Sequence, residues 1–476
     1  MKKIFSILLV FILFVFIVGC EETKNLTDFE KAFGSKYLLV RENEEYYFVN
    51  EDGEKIFDQT FEAANPFKNG TAQVNIKFYN HIINEKGEVL TEKYKSATKI
   101  IDGRHIAVDK KTNKEILLNK KCEPLFTKKV DRITGVMGDY ISVYNNGKAE
   151  VYKTSGKRIF SSEGKTIQLL NDGMFVVIES STNKTLYNNK GKKIMSNLYD
   201  VLMIDNKIIV YTDQFNCKVI NKQGKQINSG YNISSYNRNV NKFIASKDGV
   251  SYVLDLNFNC IAKGTLVPTD SNKYFTTVKV DDKFIAYNND GQMVVDRPYD
   301  KVQHLQNYLL AYDLEENNNS YLDNKKHMYI FDEDGQLIFD TAETKYFQPK
   351  PVFELTNDDI YIKIYEDNKQ KYYLIDKVEN KLINIPFDNI INISGDFALV
   401  KTKVLENGEY EVAIVNIKTN EVVFNTKNMI QIIVYNNQYI LCNYSSTVSN
   451  GIGNRFGLID ITGKELLEAK YQDIIY

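Results

Sequence analysis

Tryptophan is absent from this chain, histidine occurs four times and proline only seven times in 476 residues. The histidines, His81, His105, His304 and His327, stand far apart, with no H-E-x-x-H or H-x-H pair, so their spacing supplies no metal site and assigns them to surface or strand packing. Beyond the N-terminus, Cys122, Cys217, Cys260 and Cys442 form no C-x-x-C pair and have no histidine at ligand spacing. They read as isolated buried thiols in strands or turns, and disulfides between distant units have no support. Charge of one sign is missing too: 60 Lys and Arg against 62 Asp and Glu give a net charge of -2, with both signs scattered. No basic block follows a phosphate backbone, which argues against a nucleic-acid partner. After Val18 no apolar run is long enough to cross a membrane.

What is present is aromatic and aliphatic: 32 Tyr, 27 Phe and 43% hydrophobic residues. That content is enough for substantial cores, and the excess of Tyr and Phe with so little Pro favours strands over helices. The expected class is all-β.

The first residues form a targeting segment. Lys2 and Lys3 precede the apolar stretch Ile4 to Val18, whose 15 residues fall short of the roughly 20 that a membrane-spanning helix needs. Ile17-Val18-Gly19-Cys20 resembles the lipobox of bacterial lipoprotein precursors. The resemblance implies a signal peptide over 1–19, removed so that Cys20 becomes the mature N-terminus with a diacylglycerol on its sulfur. A further acyl chain on its amine, such as palmitate, would give the two-chain signal of a stable anchor. Residues 20–35 would then be the lipidated Cys and a short tether, with a helical turn or two over Leu26 to Phe33. The chain is accordingly expected at the bacterial cell membrane, lipid-anchored, on the extracytoplasmic side.

Residues 36–476 are an array of one small unit. Asn50-Glu51-Asp52-Gly53 is the first of twelve equivalent tetrads, the others starting at Asn84, Asn119, Lys153, Asn188, Asn221, Asp255, Asn288, Asp332, Asp376, Asn416 and Asp460, spaced 33 to 44 residues apart. An Asn or Asp side chain accepts a hydrogen bond from the backbone two residues on, and Gly takes the positive φ that ends such a turn. Gly holds the fourth position at 53, 87, 156, 191, 224, 291, 335 and 463. Where it is missing, at Cys122 or Phe258, a different turn type is expected. Around each tetrad the pattern predicts four short strands: one before the turn, one returning from it, a third at an aromatic-acid-aliphatic segment such as Tyr199-Asp200-Val201, and a fourth after a small polar turn. The fourth is nearly continuous in apolar residues, as in Tyr140-Ile141-Ser142-Val143 and Phe397-Ala398-Leu399-Val400, which predicts burial on both faces.

Arg455-Phe456-Gly457-Leu458-Ile459-Asp460-Ile461-Thr462-Gly463-Lys464, followed by Lys470-Tyr471-Gln472-Asp473-Ile474, resembles the bacterial WG-repeat family, and weaker copies cover residues 36 to 476. Phe456-Gly457 is the nearest match to the naming dipeptide, and several units lack the turn Gly, so the resemblance is to a divergent member. It implies a β-rich repeat protein, often exported, and carries no catalytic residues to this chain.

Two architectures follow. Tyr37-Leu38-Leu39-Val40 matches the fourth strand of a unit while the last unit stops after its third, so meeting ends would close a β-propeller-like ring of tandem four-stranded repeats. Twelve units exceed the typical four to eight blades, which favours two rings in tandem with an undefined border. An open β-solenoid is the alternative.

No catalytic constellation is present, and no cofactor or metal is expected. Asp332-Glu333-Asp334-Gly335 lacks the later bidentate acid of a calcium loop and occupies a tetrad, so it reads as a turn. Gly451-Ile452-Gly453-Asn454 has no following helix to present to a phosphate and reads as a loop. Glu316-Asn317-Asn318-Asn319-Ser320 reads as a solvated loop. The expected function is a non-enzymatic binding scaffold for an envelope protein or glycan. The alternatives are a glycan hydrolase, for which Asp200, Asp300 and Asp388 are the candidate carboxylates, and a purely structural envelope protein.

Overall fold

The computed structural model describes residues 26–100, 103–214, 216–227, 230–314, 325–340, 352–356, 359–366, 369–376, 381–387, 389–406, 409–448 and 451–476. The chain folds into twelve successive antiparallel sheets, eight of four strands, three of three and one of two. In several short sheets the missing edge strand is reduced to single bridges, such as Val49↔Lys55 and Tyr287↔Met293.

The boundary between sheets falls inside the aromatic-acid segment. Leu198 ends one sheet and Asp200 begins the next; likewise the strand Glu465–Tyr471 closes the twelfth sheet and Asp473–Ile475 opens the first. Each sheet is therefore built from the second half of one sequence unit and the first half of the following one, with the tetrad turn joining its third and fourth strands.

The first sheet holds both ends of the array. Its order is Glu45–Val49, Leu38–Glu42, Asp473–Ile475. Leu39 faces Ile475, Val40 faces Ile474 and Arg41 faces Asp473 across an antiparallel ladder. The pairing expected of Tyr37 to Val40 is present, and it removes two open edges at once.

The hydrophobic clusters show how the sheets are joined. Leu38 and Val40 pack with Leu441, Leu458 and Leu467 of the twelfth sheet, while Leu39 points the other way, to Ala72, Val74 and Ile83 of the second. The same alternation recurs around the array: Ile208 and Val210 pack on Val176 and Leu186, and Ile209 on Phe243 and Ala245. A central strand clamped between two neighbours is apolar at successive positions because its two faces are both buried. Each of the twelve clusters bridges two consecutive sheets, ending with the twelfth and the first. Among the described residues they run in one closed, propeller-like cycle of twelve, where the blade count favours two smaller rings. No described cluster links the sixth sheet to the first or the seventh to the twelfth, as a second closure would need.

A short helix, Asp28–Phe33, sits over the closure. Thr27 and Glu30 form a reciprocal capping box, and Gly34 ends the helix at φ 67. Phe29 and Phe33 lie against Tyr439, with ring centroids 5.6 and 5.4 Å apart, and Phe33 also reaches Tyr435 and Tyr476.

The tetrads do more than turn the chain. At Asn50, Asn84, Asn119, Asn188, Asn221, Asp255, Asn288, Asp332 and Asp460 the side-chain Oδ1 accepts from the amides both two and four residues on, at 2.7 to 3.1 Å. Lys153 lacks such an acceptor and keeps only the backbone bonds Gly156 N to Lys153 O and Lys153 N to Lys157 O. Cys122 and Phe258 do not change the turn type, contrary to expectation: they adopt φ 61 and 69 in the same turn. The two side-chain bonds from Asn119 and Asp255 hold it against the left-handed strain of about 1–2 kcal/mol that a Cβ brings. Gly is required elsewhere by a close approach to the preceding sheet. A Cβ on Gly463 would lie 2.3 Å from Val423 O, and one on Gly191 2.7 Å from Ile159 O.

In a meander the first and third turns share one end and the second turn lies at the other. All tetrads therefore gather on one face of the cycle, the tetrad face, and the second-turn hairpins gather on the opposite face.

Candidate functional site

On the tetrad face of the fourth to sixth sheets, three first-turn hairpins and two tetrads enclose a polar cleft, Lys222 and Gln223 of the Asn221 tetrad lining its second hollow. The turns are Gly138-Asp139, Asn171–Gly173 and Asp205-Asn206, and the tetrads are those starting at Asn188 and Asn221. Two adjoining hollows of about 750 and 420 Å³ share Asp172 and Asn189 in their walls. That is the size range of small-ligand sites, though the lining is polar.

The middle turn is the longest of the three and is pinned from several sides. Asp172 adopts φ 57, and its carboxylate is paired with Lys222, which also donates to Asn206 Oδ1 at 3.0 Å. Asn189 Nδ2 donates to Asp172 O at 3.3 Å. Gly173, at φ 73, lies against the Tyr140 ring so closely that a Cβ would sit 2.1 Å from the ring. The carboxylates of Asp139 and Asp205 make no hydrogen bond or ion pair among the described residues. The cleft thus offers free acceptors, asparagine amides and a tyrosine, an arrangement able to receive hydroxyls or amides of a polar ligand. A third hollow of about 340 Å³, lined by Glu51, Asp52, Gln438, Tyr439 and Asp460 among others, lies over the closure on the same face.

The acids singled out in the sequence stand elsewhere. Asp200 pairs with Lys184 at 2.7 Å and Arg238 at 3.5 Å, and Asp300 pairs with Lys283. Lys114 and Asp131 repeat the relationship at 3.2 Å. In each case a lysine of one sheet holds the acid at the switch into the next, a structural tie. Asp388 lies outside the described residues, as do Cys20 and Glu316 to Ser320.

Among the histidines, His105 is fully buried with neither ring nitrogen hydrogen-bonded, and burial, reinforced by the nearby Lys99 charge, lowers its pKa to about 4. His81 Nδ1 lies 3.3 Å from Thr91 Oγ1, and burial lowers its pKa too. His304 is half-buried in the strand Lys301–Leu305, and the side chain of His327 lies outside the described residues. Cys122, Cys217 and Cys442 are buried free thiols whose pKa values burial pushes up to about 11, 11 and 12. Cys260 departs from expectation as an exposed free thiol. Asp332 is a tetrad turn former. Gly451 to Asn454, expected as a loop, belongs to the ten-residue strand Gly451–Asp460, because the hairpin ladder with Tyr439–Val448 runs out to Val448↔Gly451.

Sequence reasoning missed the cleft and two buried charges. Lys242 Nζ donates to Asn289 Oδ1 at 2.8 Å, tying the seventh sheet to the eighth tetrad. Glu150 accepts from Tyr152 OH and Arg158 Nη1, both at 2.9 Å. Neither has a local sequence signature, since the partners come from turns and strands whose register is set by the fold. The departure of Leu170-Asn171-Asp172-Gly173 from the two-residue first turn was the one available signal for the cleft.

The family described as WG containing repeat matches residues 48–77, the segment of the first tetrad and the hairpin after it. No curated protein matches. Among solved structures, the chain is similar to BamB from Moraxella catarrhalis at 10% identity, covering 69% of this chain and 88% of that one with a TM-score of 0.20. A second is the dihydro-heme d1 dehydrogenase NirN in complex with DHE, at 10% identity, 72% and 76% coverage and a TM-score of 0.22. A third is a protein of unknown function from Bacteroides caccae, at 14% identity, 40% and 93% coverage and a TM-score of 0.19. At such scores these likenesses carry no argument about function.

Proposed function

We propose that this chain is a membrane-anchored extracytoplasmic scaffold that binds an envelope protein or glycan on its tetrad face, without catalysis of its own. The observation that carries the reading is the cleft of the fourth to sixth sheets, where Asp139 and Asp205 have free carboxylates beside a pinned Asp172 loop. Acceptors held on a rigid scaffold, with Asn and Tyr around them, suit recognition of hydroxyl and amide groups. The hydrolase alternative needs two carboxyl groups facing one bond across about 5 to 10 Å, whereas Asp200 and Asp300 are each engaged by a lysine in separate sheets. Attachment through Cys20 would hold the scaffold at the membrane, and mass spectrometry of the mature protein should find an acylated Cys20 and no residues 1–19.

The binding reading is tested by retention of purified envelope polysaccharide and envelope protein fractions on the immobilised protein. The D139N/D205N double variant should fold normally and lose retention. Equal retention by the variant would remove the cleft from the account.

A further inference from the structure

The hairpin joining Thr71–Ile76 to Tyr79–Asn84 turns through Lys77 and Phe78 on the opposite face of the second sheet. Both residues are left-handed, at φ 50 and 71, and Phe78 is 85% exposed. A two-residue turn of this kind demands positive φ at both positions, which favours Asn, Asp and Gly and penalises a bulky side chain. The array provides its own control. The second turns that share positive φ at both positions are Asn43-Glu44, Asn146-Gly147, Asp248-Gly249 and Asp281-Asp282, each beginning with Asn or Asp, whereas Ser181-Thr182 closes the corresponding hairpin of the fifth sheet without positive φ. Only Lys77-Phe78, among the described second turns with positive φ at both positions, has neither Asn, Asp nor Gly.

Asn75 Oδ1 accepts from the Phe78 amide at 3.1 Å and steadies the strained tip. No packing explains an exposed phenyl group held in an unfavourable backbone conformation, and such strain is characteristic of positions kept for function. Lysines stand around the tip. Tyr79 is exposed next to the tip, with Lys95 Nζ 5.8 Å from its ring. Lys95 also donates to Asn113 Oδ1 at 2.9 Å, which brings the turn carrying Lys110 and Lys111 alongside. The acids nearby are Glu62, exposed next to the Ala63 carbonyl that accepts from the Asn75 amide, Glu92, which faces His81 together with Lys110, and Asp109, which is occupied by Lys129 and by the amides of its own turn.

We infer that the Phe78 tip is a membrane-contact finger, which inserts its ring at the interface of a bilayer while Lys77, Lys95, Lys110 and Lys111 meet anionic headgroups. Aromatic rings prefer the headgroup level, and lysines there are drawn to an anionic surface. One ring and a few lysines bind weakly alone, but beside a lipid anchor the contact becomes intramolecular and effective. It also decides orientation. Seven residue-to-residue steps lead from Cys20 to Thr27, a reach of up to about 25 Å, which exceeds a typical strand length of about 17–20 Å. An anchor at Cys20 would therefore permit either face of the cycle to lie on the membrane. The finger selects the opposite face and leaves the tetrad face, with its polar cleft, turned outward. This orientation rests on the scaffold reading above; the membrane contact itself does not.

The absence of tryptophan supplies the test. All twelve core clusters lie within residues 29–474, so a chain beginning at Glu21 keeps the whole fold and carries no acyl group. In that chain F78W is the sole tryptophan, and M293W is the control, since Met293 is exposed beside a tetrad. Phosphatidylglycerol vesicles in large excess, enough to capture weak binding without the anchor, should shift F78W emission to the blue and shield it from an aqueous quencher, with phosphatidylcholine vesicles and M293W showing neither effect. Neutralising Lys77, Lys110 and Lys111 to Gln should weaken vesicle binding by about fivefold per lysine. F78G relieves the turn and should leave the fold at least as stable while abolishing vesicle binding, so a loss cannot be laid to misfolding. An unshifted F78W spectrum in phosphatidylglycerol vesicles, or a shift seen only on adding an envelope protein, would overturn the membrane assignment while leaving the cleft untouched.

Discussion

Val40 lies directly opposite Ile474 in an antiparallel ladder, so a residue near the start of the described chain and one near its end share a single sheet. Beside them the Glu44 amide donates to Gln472 Oε1 at 2.9 Å, and Gln472 Nε2 donates to Glu44 Oε1 at 2.8 Å. Every sheet in the cycle is thereby covered on both faces, and the properties of individual turns follow from that crowding.

A tetrad glycine and a second-turn glycine together test the crowding. Gly463 and Gly147 have similar positive φ, 88 and 78, but a Cβ at 463 meets Val423 O whereas one at 147 meets nothing within 4 Å. G147A should cost only the left-handed strain of about 1–2 kcal/mol. G463A should cost about 1–3 kcal/mol more, because the twelfth sheet must move off the eleventh. Chemical denaturation of the two variants measures the difference.

Lys153 is the one anchor with a fully described turn that has no side-chain acceptor for it. Replacing it by Asn restores the acceptor that nine other anchors use. K153N should raise stability by about 0.5–1.5 kcal/mol, the net worth of an added hydrogen bond, read as a higher urea midpoint at unchanged slope.

His105 should make the fold sensitive to acid. Its folded pKa, about 4, lies below the value of about 6.5 for an unfolded histidine. The unfolded chain therefore binds the extra proton first as pH falls. The stability from burying a neutral ring is complete above about pH 6.5 and is lost progressively toward pH 4, by up to about 3 kcal/mol. H105L should flatten that part of the stability profile. An unchanged slope between pH 6.5 and 4 in the variant would mean that other groups cause it.

The regular parts of this fold were legible because they are local. Asn50 and Gly53 carry their own turn chemistry, and Leu38-Leu39-Val40 is apolar at three successive positions because its strand has a neighbour on each side. The sheet boundary was not legible: Leu198, Tyr199 and Asp200 run on without a turn signal, yet the chain leaves the fifth sheet at Leu198 and the Tyr199 amide already donates to Tyr211 O of the sixth. Nor were the turns at Cys122 and Phe258, where hydrogen bonds from Asn119 and Asp255 outweigh the missing glycine. The cleft depends on Asp139, Asp172 and Asp205 arriving from three sheets, and the Lys184–Asp200 tie on a register between sheets; neither leaves a spacing to read.

Closure of the cycle is the claim on which the rest depends, and one distance decides it. Spin labels at E45C and K470C, with the exposed Cys260 replaced by Ser, sit on strands that meet in or beside the first sheet. A closed cycle should give one narrow distribution at short range, about 15–25 Å for labels on facing sheets packed about 10 Å apart. An open array of twelve sheets stacked about 10 Å apart would separate them by on the order of 100 Å, and a distribution centred far beyond the short range would contradict the closed cycle.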